Sequence, residues 1–408
     1  VDIHANIERQ AAFDKPVYET KPYAITEDES LEDNTYLSYN AVIGTSVDAK
    51  LYLAFQILDY ALVMTPGAPV KQALLDAGIS TDVYSSYETS LYQPVYSIVA
   101  KNSNSKEQDR FVSVINDTLE KLVKDGINER TIEAGINYYE FKYREADYGP
   151  YPKGLMYYLT MMDSWLYDET KPFIHIEAGD TFDELKKNAR NGYFEKLIKE
   201  YLLDNNHKSI ISLVPEYGLE KEKEQKEADK LAEYKSTLTN DELEELVKKT
   251  KELKEYQDTP SSQEDLEKIP MLELSDIKRE PAKDYNDVKS VDGIKIVHHN
   301  IFTNKIAYIN MSFDTKCVPD ELIPYMGLLG STLSLMDTKN YTYPELTNEI
   351  NINCGGLATG TALYSDKVDF SKNTIVYEVK SKALYEKVPF VLGMMEEIMY
   401  CLLYTSDA

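Results

Sequence analysis

The run from Leu219 to Asp258 contains neither Gly nor Pro, and Glu and Lys alternate through it from Glu220 and Lys221 to Lys226 and Glu227. Leu231, Leu238, Leu243, Leu246, Val247 and Leu253 recur at roughly the spacing of a helical turn. A segment this charged, with one thin apolar stripe, cannot build a core of its own. It predicts exposed helices held by oppositely charged side chains one turn apart. Leu238-Thr239-Asn240-Asp241-Glu242 interrupts the run and offers Thr239 or Asn240 as the N-cap of a second helix. The segment therefore reads as two antiparallel helices, the alternative being a solvated charged spacer. Either way it divides the chain in two.

The two sides look alike. On the N-terminal side a strand (36–43) leads to a long helix (47–63), with Ser46 as the expected cap and Leu51, Ala54, Phe55, Leu58 and Leu62 on one face. A short helix (70–77), strands 81–89 and 94–100, and a long helix (106–124) follow. On the C-terminal side the same order appears as a strand (306–313), a long helix (319–335), a short helix (343–351), strands 357–364 and 374–380, and a helix (384–399). The letters differ; the pattern of elements carries the likeness. It predicts an α+β fold: two homologous α/β sandwich domains, each an antiparallel-dominated sheet with helices on one face, joined by the charged helical hairpin. The expected boundaries are 1–218, 219–270 and 271–399. Residues 400–408, Cys401-Leu402-Leu403-Tyr404-Thr405-Ser406-Asp407-Ala408, read as a tail foreign to that pattern.

Between the halves of this pattern lie features specific to the N-terminal side. A Tyr-rich helix (128–146) is followed by the rigid turn Gly149-Pro150-Tyr151-Pro152-Lys153-Gly154 and an apolar helix (155–167) with the only tryptophan, Trp165. A last strand (209–214) is expected to stop at Pro215.

Charge narrows the classes of partner. The chain has 44 Lys and Arg against 70 Asp and Glu, a net charge of −26. Such a surface repels nucleic acid and anionic lipid and steers basic partners toward it. No unbroken apolar run approaches the roughly 20 residues of a membrane span. Cys317, Cys354 and Cys401 are few, odd in number and far apart, which points to a reducing compartment rather than a disulfide framework. A bacterial cytoplasmic location is the expectation. Organellar or secreted locations stay open, because the chain begins at Val1 and is expected to be the interior of a longer protein.

The residues offer no catalytic apparatus. The five histidines are His4, His175, His207, His298 and His299, and none has the spacing of His-Glu-x-x-His or His-x-x-Glu-His. His175-Ile176-Glu177 opens like a zinc deaminase signature, but no Pro-Cys-x-x-Cys follows. His298 and His299, adjacent at a strand end, point to opposite faces. Cys317 reads as a packing residue at a loop-to-helix junction. Gly355-Gly356-Leu357-Ala358-Thr359-Gly360 runs from helix to strand, the reverse of a phosphate cradle, so Gly355 reads as a helix C-cap. The 33 tyrosines are in excess, and Tyr138, Tyr139, Tyr143, Tyr148, Tyr151, Tyr157 and Tyr158 crowd one region. Tyr joins a broad apolar face to a polar tip, which suits a wall that holds varied peptides and equally suits a half-buried core.

Several stretches resemble the pitrilysin/insulinase superfamily of zinc peptidases, in its presequence-protease (falcilysin-like) branch. They are Tyr36-Leu37-Ser38-Tyr39-Asn40-Ala41-Val42-Ile43-Gly44, the segment from Pro66-Gly67-Ala68-Pro69 to Ala77-Gly78, Tyr151-Pro152-Lys153-Gly154-Leu155 with Trp165-Leu166-Tyr167-Asp168, the entry at Leu272 to Ile277, and Tyr343-Pro344-Glu345-Leu346 through Gly355-Gly356. The likeness covers the chain from about Tyr18 to Met399. It implies the second of four homologous domains, the helical hairpin and most of the third. In that family the four domains close a chamber around short unfolded polypeptides. The zinc motif belongs to the first domain, so the resemblance implies zinc bound outside this chain and no cofactor within it. The helix comparable to the zinc helix reads Leu322-Ile323-Pro324-Tyr325-Met326-Gly327-Leu328-Leu329, with neither His nor Glu. The expected role is the non-catalytic middle of a zinc metalloendopeptidase, forming chamber wall and hinge. Its partners would be basic or unfolded peptides and the remaining domains of the same protein, with no nucleic acid and no membrane. The alternative is a peptide-binding or assembly subunit of the same superfamily without zinc. No residue is assigned a catalytic or metal role, and substrate-binding residues are unassigned.

Overall fold

A computed structural model of the chain describes residues 7–280 and 285–403, with Ser334 described by its backbone alone. His4 and residues 404–408 of the expected tail lie outside the described residues.

The elements in order are β1 (Val17–Ile25), β2 (Thr35–Val42), α1 (Ala49–Asp59), α2 (Pro69–Asp76), β3 (Asp82–Glu88), β4 (Val95–Ser103), α3 (Gln108–Asp125), α4 (Glu129–Glu145), α5 (Lys153–Trp165), α6 (Gly179–Asn188), α7 (Tyr193–Leu197) and β5 (Lys208–Tyr217). The charged run supplies α8 (Leu219–Thr237) and α9 (Asn240–Asp258), followed by the short α10 (Gln263–Glu267). Then come β6 (Asn286–Val291), β7 (Ile294–His299), β8 (Ile306–Asp314), α11 (Ile323–Thr332), α12 (Tyr343–Asn353), β9 (Leu357–Ser365), β10 (Asn373–Leu384) and α13 (Val388–Tyr400). The fold is mixed α+β, as the pattern predicts.

The sheets make the internal repeat explicit. The first has strand order β1-β5-β2-β4-β3 and the second β8-β10-β9. Aligning β2 with β8, β3 with β9 and β4 with β10 gives the same arrangement, with the third strand of the unit inserted between the first and second. β2 runs antiparallel to β4 with Tyr39 opposite Ile98, and β8 runs antiparallel to β10 with Met311 opposite Val379. Period-two patterning drives this: in β2, Leu37, Tyr39 and Ala41 are buried while Tyr36, Ser38 and Asn40 are half-buried.

Each sheet packs helices against one face. In the first, α1 is buried almost all round, and Phe55, Leu58, Ile98, Phe111 and Ile115 are fully shielded from solvent. By length and composition Ala49–Asp76 could cross a membrane, but 67% of its apolar window is buried here. It also breaks at Thr65, where a π-helical turn, Tyr60–Met64, ends. It is a core helix. In the second layer, Val379, Val391, Met395 and Ile398 form a smaller core with Leu346.

Several local expectations change. Asp48, not Ser46, caps α1, its side chain accepting from the Leu51 N–H at 3.0 Å; Ser46 is buried and gives its carbonyl to His175 instead. β5 runs through Pro215 to Tyr217. Its pairing with β2 ends at Leu213, so the proline removes no bond from that ladder. Cys354, not Gly355, is the C-cap of α12.

By proximity the described residues form two compact units, drawn from 1–23, 27–216 and 303–408 and from 24–26 and 217–302. Residues 271–302, read above with the following domain, cluster with the charged helices. Within that second unit, α8 and α9 are joined at Leu238-Thr239 and carry no buried residue. Within the first unit, both sheet layers belong to one body. There α4 lies against α12, Lys382 Nζ reaches Glu145 at 2.6 Å, Tyr308 donates to the same carboxylate at 2.8 Å, and Arg130 pairs with Glu349.

Candidate functional site

The singled-out histidines do not meet. His175 is buried: its ring stacks on Tyr52 at 3.9 Å between centroids, and Nε2–H donates to the Ser46 carbonyl at 2.8 Å. A carbonyl can only accept, which sets the proton on Nε2. Burial pushes its pKa down to about 4, against a smaller upward pull from that hydrogen bond. His207 packs edge-on against Phe13. His298 and His299 are exposed at the end of β7. Cys354 is buried with its thiol on the Ile350 carbonyl, whereas Cys317 is exposed rather than packed.

The tyrosines do meet, and helical geometry decides which. Residues four apart share a face of a helix, while the next residue is turned about 100° away. Tyr139 and Tyr143 therefore face together from α4, and Tyr138 turns off to lie against Tyr60 at 5.4 Å. After α4, Ala146 takes a left-handed conformation (φ 47°) and the chain doubles back through Gly149 into α5. This return brings Tyr148 edge-on to Tyr157, at 6.0 Å, on the open side of the same face. Tyr52 and Gln56, four apart on α1, close the cleft from below. The result is a cleft of about 240 Å³ walled by Tyr52, Tyr139, Tyr143, Tyr148 and Tyr157, with Gln56, Lys142, Thr160 and Ile176 at its edges.

Four of the seven tyrosines singled out in the sequence line this cleft. Tyr151 and Tyr158 instead stand on the surface, 62% and 49% exposed. Sequence reading missed Tyr52 and Gln56, which lie far upstream, and also Asp163. Asp163 accepts from Tyr52 Oη at 2.8 Å and from Thr89 Oγ1 at 3.2 Å. Burial raises its pKa, and those two hydrogen bonds oppose the rise. The four-residue spacing of Tyr52 and Gln56 was readable, but nothing local says which helix they face. Burial also raises the Tyr143 phenol to about 12, so it remains a proton donor near neutral pH.

Comparison with known proteins places the chain. Residues 4–139 match the family described as the inactive domain of peptidase M16, and residues 213–406 match the associated family of its subgroup C. The chain belongs to the pitrilysin/insulinase (M16) superfamily.

Protein HypA of Clostridium perfringens is 40% identical over 98% of this chain. Presequence protease 1, chloroplastic/mitochondrial, of Arabidopsis thaliana is 31% identical over 87% of it. The chain spans 41% of the first relative's length and 33% of the second's. The crystal structure of pitrilysin overlays 95% of this chain and 38% of its own, at 14% identity and a TM-score of 0.45.

Zinc, which this superfamily implies, does not fit the residues present. Among the described residues no group of three or more His, Cys, Asp or Glu side chains comes together to hold a metal ion. The helix expected to parallel the zinc helix, α11, backs onto β9 instead, with Thr359 Oγ1 donating to the Gly330 carbonyl at 2.7 Å. Its counterpart in the first layer, α1, reads AKLYLAFQILD and also lacks His and Glu. Two strand–helix layers of peptidase type are present, and neither carries the donor set a zinc site requires.

Proposed function

We propose that this chain is the non-catalytic middle of a zinc metalloendopeptidase that degrades short unfolded peptides within a closed chamber, where it supplies wall and hinge. One observation carries the reading: a match to an M16 inactive domain on a layer whose equivalent helix has neither His nor Glu. The relatives named above are much longer than this chain, and one is named a protease, which supports an active site elsewhere in the whole protein. In this reading the net charge of −26 favours basic peptides over acidic ones by long-range attraction.

The test uses the chain as it stands. Incubated with a quenched fluorescent peptide library, it should give no cleavage above buffer, with or without a chelator, and elemental analysis should show no stoichiometric zinc. Titration with a labelled basic peptide should saturate, and the midpoint should weaken as salt is raised. Chelator-sensitive cleavage by this chain would overturn the non-catalytic assignment. Absence of any saturable binding would reduce the chain to a scaffold.

A further inference from the structure

We propose that the tyrosine-walled cleft between α1, α4 and α5 is an anchor for one large apolar or aromatic side chain of an extended basic peptide. The proposal rests on the chamber-wall reading and names the subsite that would grip the peptide.

Size comes first. Pockets for whole small molecules run from about 300 to 1,000 Å³, and this cleft, at about 240 Å³, falls below that range. It matches a single side chain rather than a metabolite.

Chemistry follows. Five tyrosine rings form the wall, and an aromatic guest gains from offset or edge-to-face contact with such rings beyond its burial alone. Among the described residues, the phenols of Tyr143, Tyr148 and Tyr157 and the amide of Gln56 make no hydrogen bond. They remain available to the carbonyls and amides of a peptide main chain. A charged guest is disfavoured. Lys142 already occupies the edge, its ammonium 4.5 Å over the Tyr138 ring, and the nearby carboxylate, Asp163, is engaged by Tyr52 and Thr89.

The far side of α5 is also apolar. α5 turns Tyr157 and Thr160 into the cleft and leaves Leu155, Tyr158, Leu159 and Leu166 on its outer face, 47%, 49%, 50% and 62% exposed. These positions fall on one helical stripe. Met161 and Met162, half-buried beside them, give a surface that can adapt to different neighbours. A one-residue pocket rimmed by unbonded phenols fits a peptide with one anchored side chain, while the apolar stripe lies on the opposite face of α5. The chain's net charge of −26 favours basic flanking residues by long-range attraction.

The experiment is fluorescence anisotropy on the full 408-residue chain with two labelled peptides of Gly, Ser and Lys, identical except for one central Phe or Ala. The Phe peptide should saturate and the Ala peptide should bind at least about tenfold more weakly. Tyr148→Ala and Tyr157→Ala should each weaken the Phe peptide about tenfold, and Tyr157→Phe should stay within about twofold, because it keeps the ring. Melting temperatures of all three variants, at a loop and at a half-buried helix position, check that folding is intact. Saturable binding with no Phe–Ala difference, or no effect of either Ala variant, overturns the anchor and leaves the chamber-wall reading standing. No saturable binding of either peptide overturns the anchor and, as in the titration above, reduces the chain to a scaffold.

Discussion

His175 and Glu378 show how single buried polar groups set the pH response of this chain. His175 is neutral in the folded state, with its pKa lowered by burial to about 4 from an ordinary 6.5. The unfolded chain therefore takes up a proton at higher pH than the folded one. Above pH 6.5 the group has no effect, and the penalty grows as pH falls from 6.5 to 4, reaching about 3 kcal/mol. His175→Gln keeps a donor for the Ser46 carbonyl and removes the titration. Chemical denaturation at pH 7.5 and pH 4.5 should show a smaller loss of stability in the variant than in the parent; equal losses would contradict the assignment. Glu378 has the opposite logic. Burial alone would raise its pKa, but hydrogen bonds from Asn310, Lys380 and Tyr364 outweigh it and bring it down to about 2. Its stabilisation is present above pH 4.5 and lost as pH falls toward 2. Glu378→Gln should cost about 2 kcal/mol at pH 7, the scale of hydrogen bonds to a charged acceptor. The gap between variant and parent should narrow in acid, measured by the same denaturation curves.

At the scale of elements, the two charged helices α8 and α9 differ from the core helices in what stabilises them. No residue of α8 or α9 is buried, and Leu231, Val247 and Leu253 are each more than half exposed. Helices without tertiary burial depend on capping and on side-chain pairs, because nucleating a helix is costly. Here the pairs are Glu222–Lys226, Glu245–Lys249 and Lys248–Glu252, and the cap is a box in which Thr239 and Glu242 bond each other's backbone N–H. Thr239→Ala should therefore loosen the first turn of α9 by about 1 kcal/mol. Hydrogen exchange of the amides at Asp241 to Leu243 should quicken, while amides of β4 stay protected. An unchanged first turn would mean that contacts other than the cap hold it. The opposite case is the 198–203 π-helical turn, whose end is fully provided for. Lys208 is buried beneath it and donates to the carbonyls of Leu202 and Leu203 at 2.9 and 3.1 Å and to Tyr39 Oη at 3.1 Å. Burial lowers the lysine's pKa, yet its three donors are all used.

At the scale of the whole molecule, the two sheet layers are joined within one body by α4 and α12. Gly355, just past α12, lets the chain pass against Phe141 of α4, and a Cβ there would lie within 2.6 Å of three of the Phe141 ring carbons. The buried Glu145 holds both Lys382 and Tyr308 across the same contact. Gly355→Ala forces a shift of ring or backbone and should destabilise this docking by about 1–3 kcal/mol. If the layers unfold together, the whole transition moves down; if they can part, calorimetry should resolve two transitions in the variant. A melting curve unchanged from the parent would show that Phe141 has another place to go.

Much of this was legible in the sequence. Period-two and helical apolar patterns are local, and they predicted the strands, the helices and the repeat, since each element must turn one face inward whatever its neighbours are. The Thr239 cap and the charged helices were readable for the same reason, as their stabilising partners lie within four residues. The tertiary structure decided what depends on partners distant in the chain. Tyr52 and Tyr157 share a cleft only because α1, α4 and α5 pack together, and Ser46 does not cap α1 because the helix starts at Ala49, which puts Asp48 at the N-cap. Gly355 is needed for the ring of Phe141, not for the end of its own helix. Local order was encoded in periodicity. The cleft was encoded only in which helix faces meet.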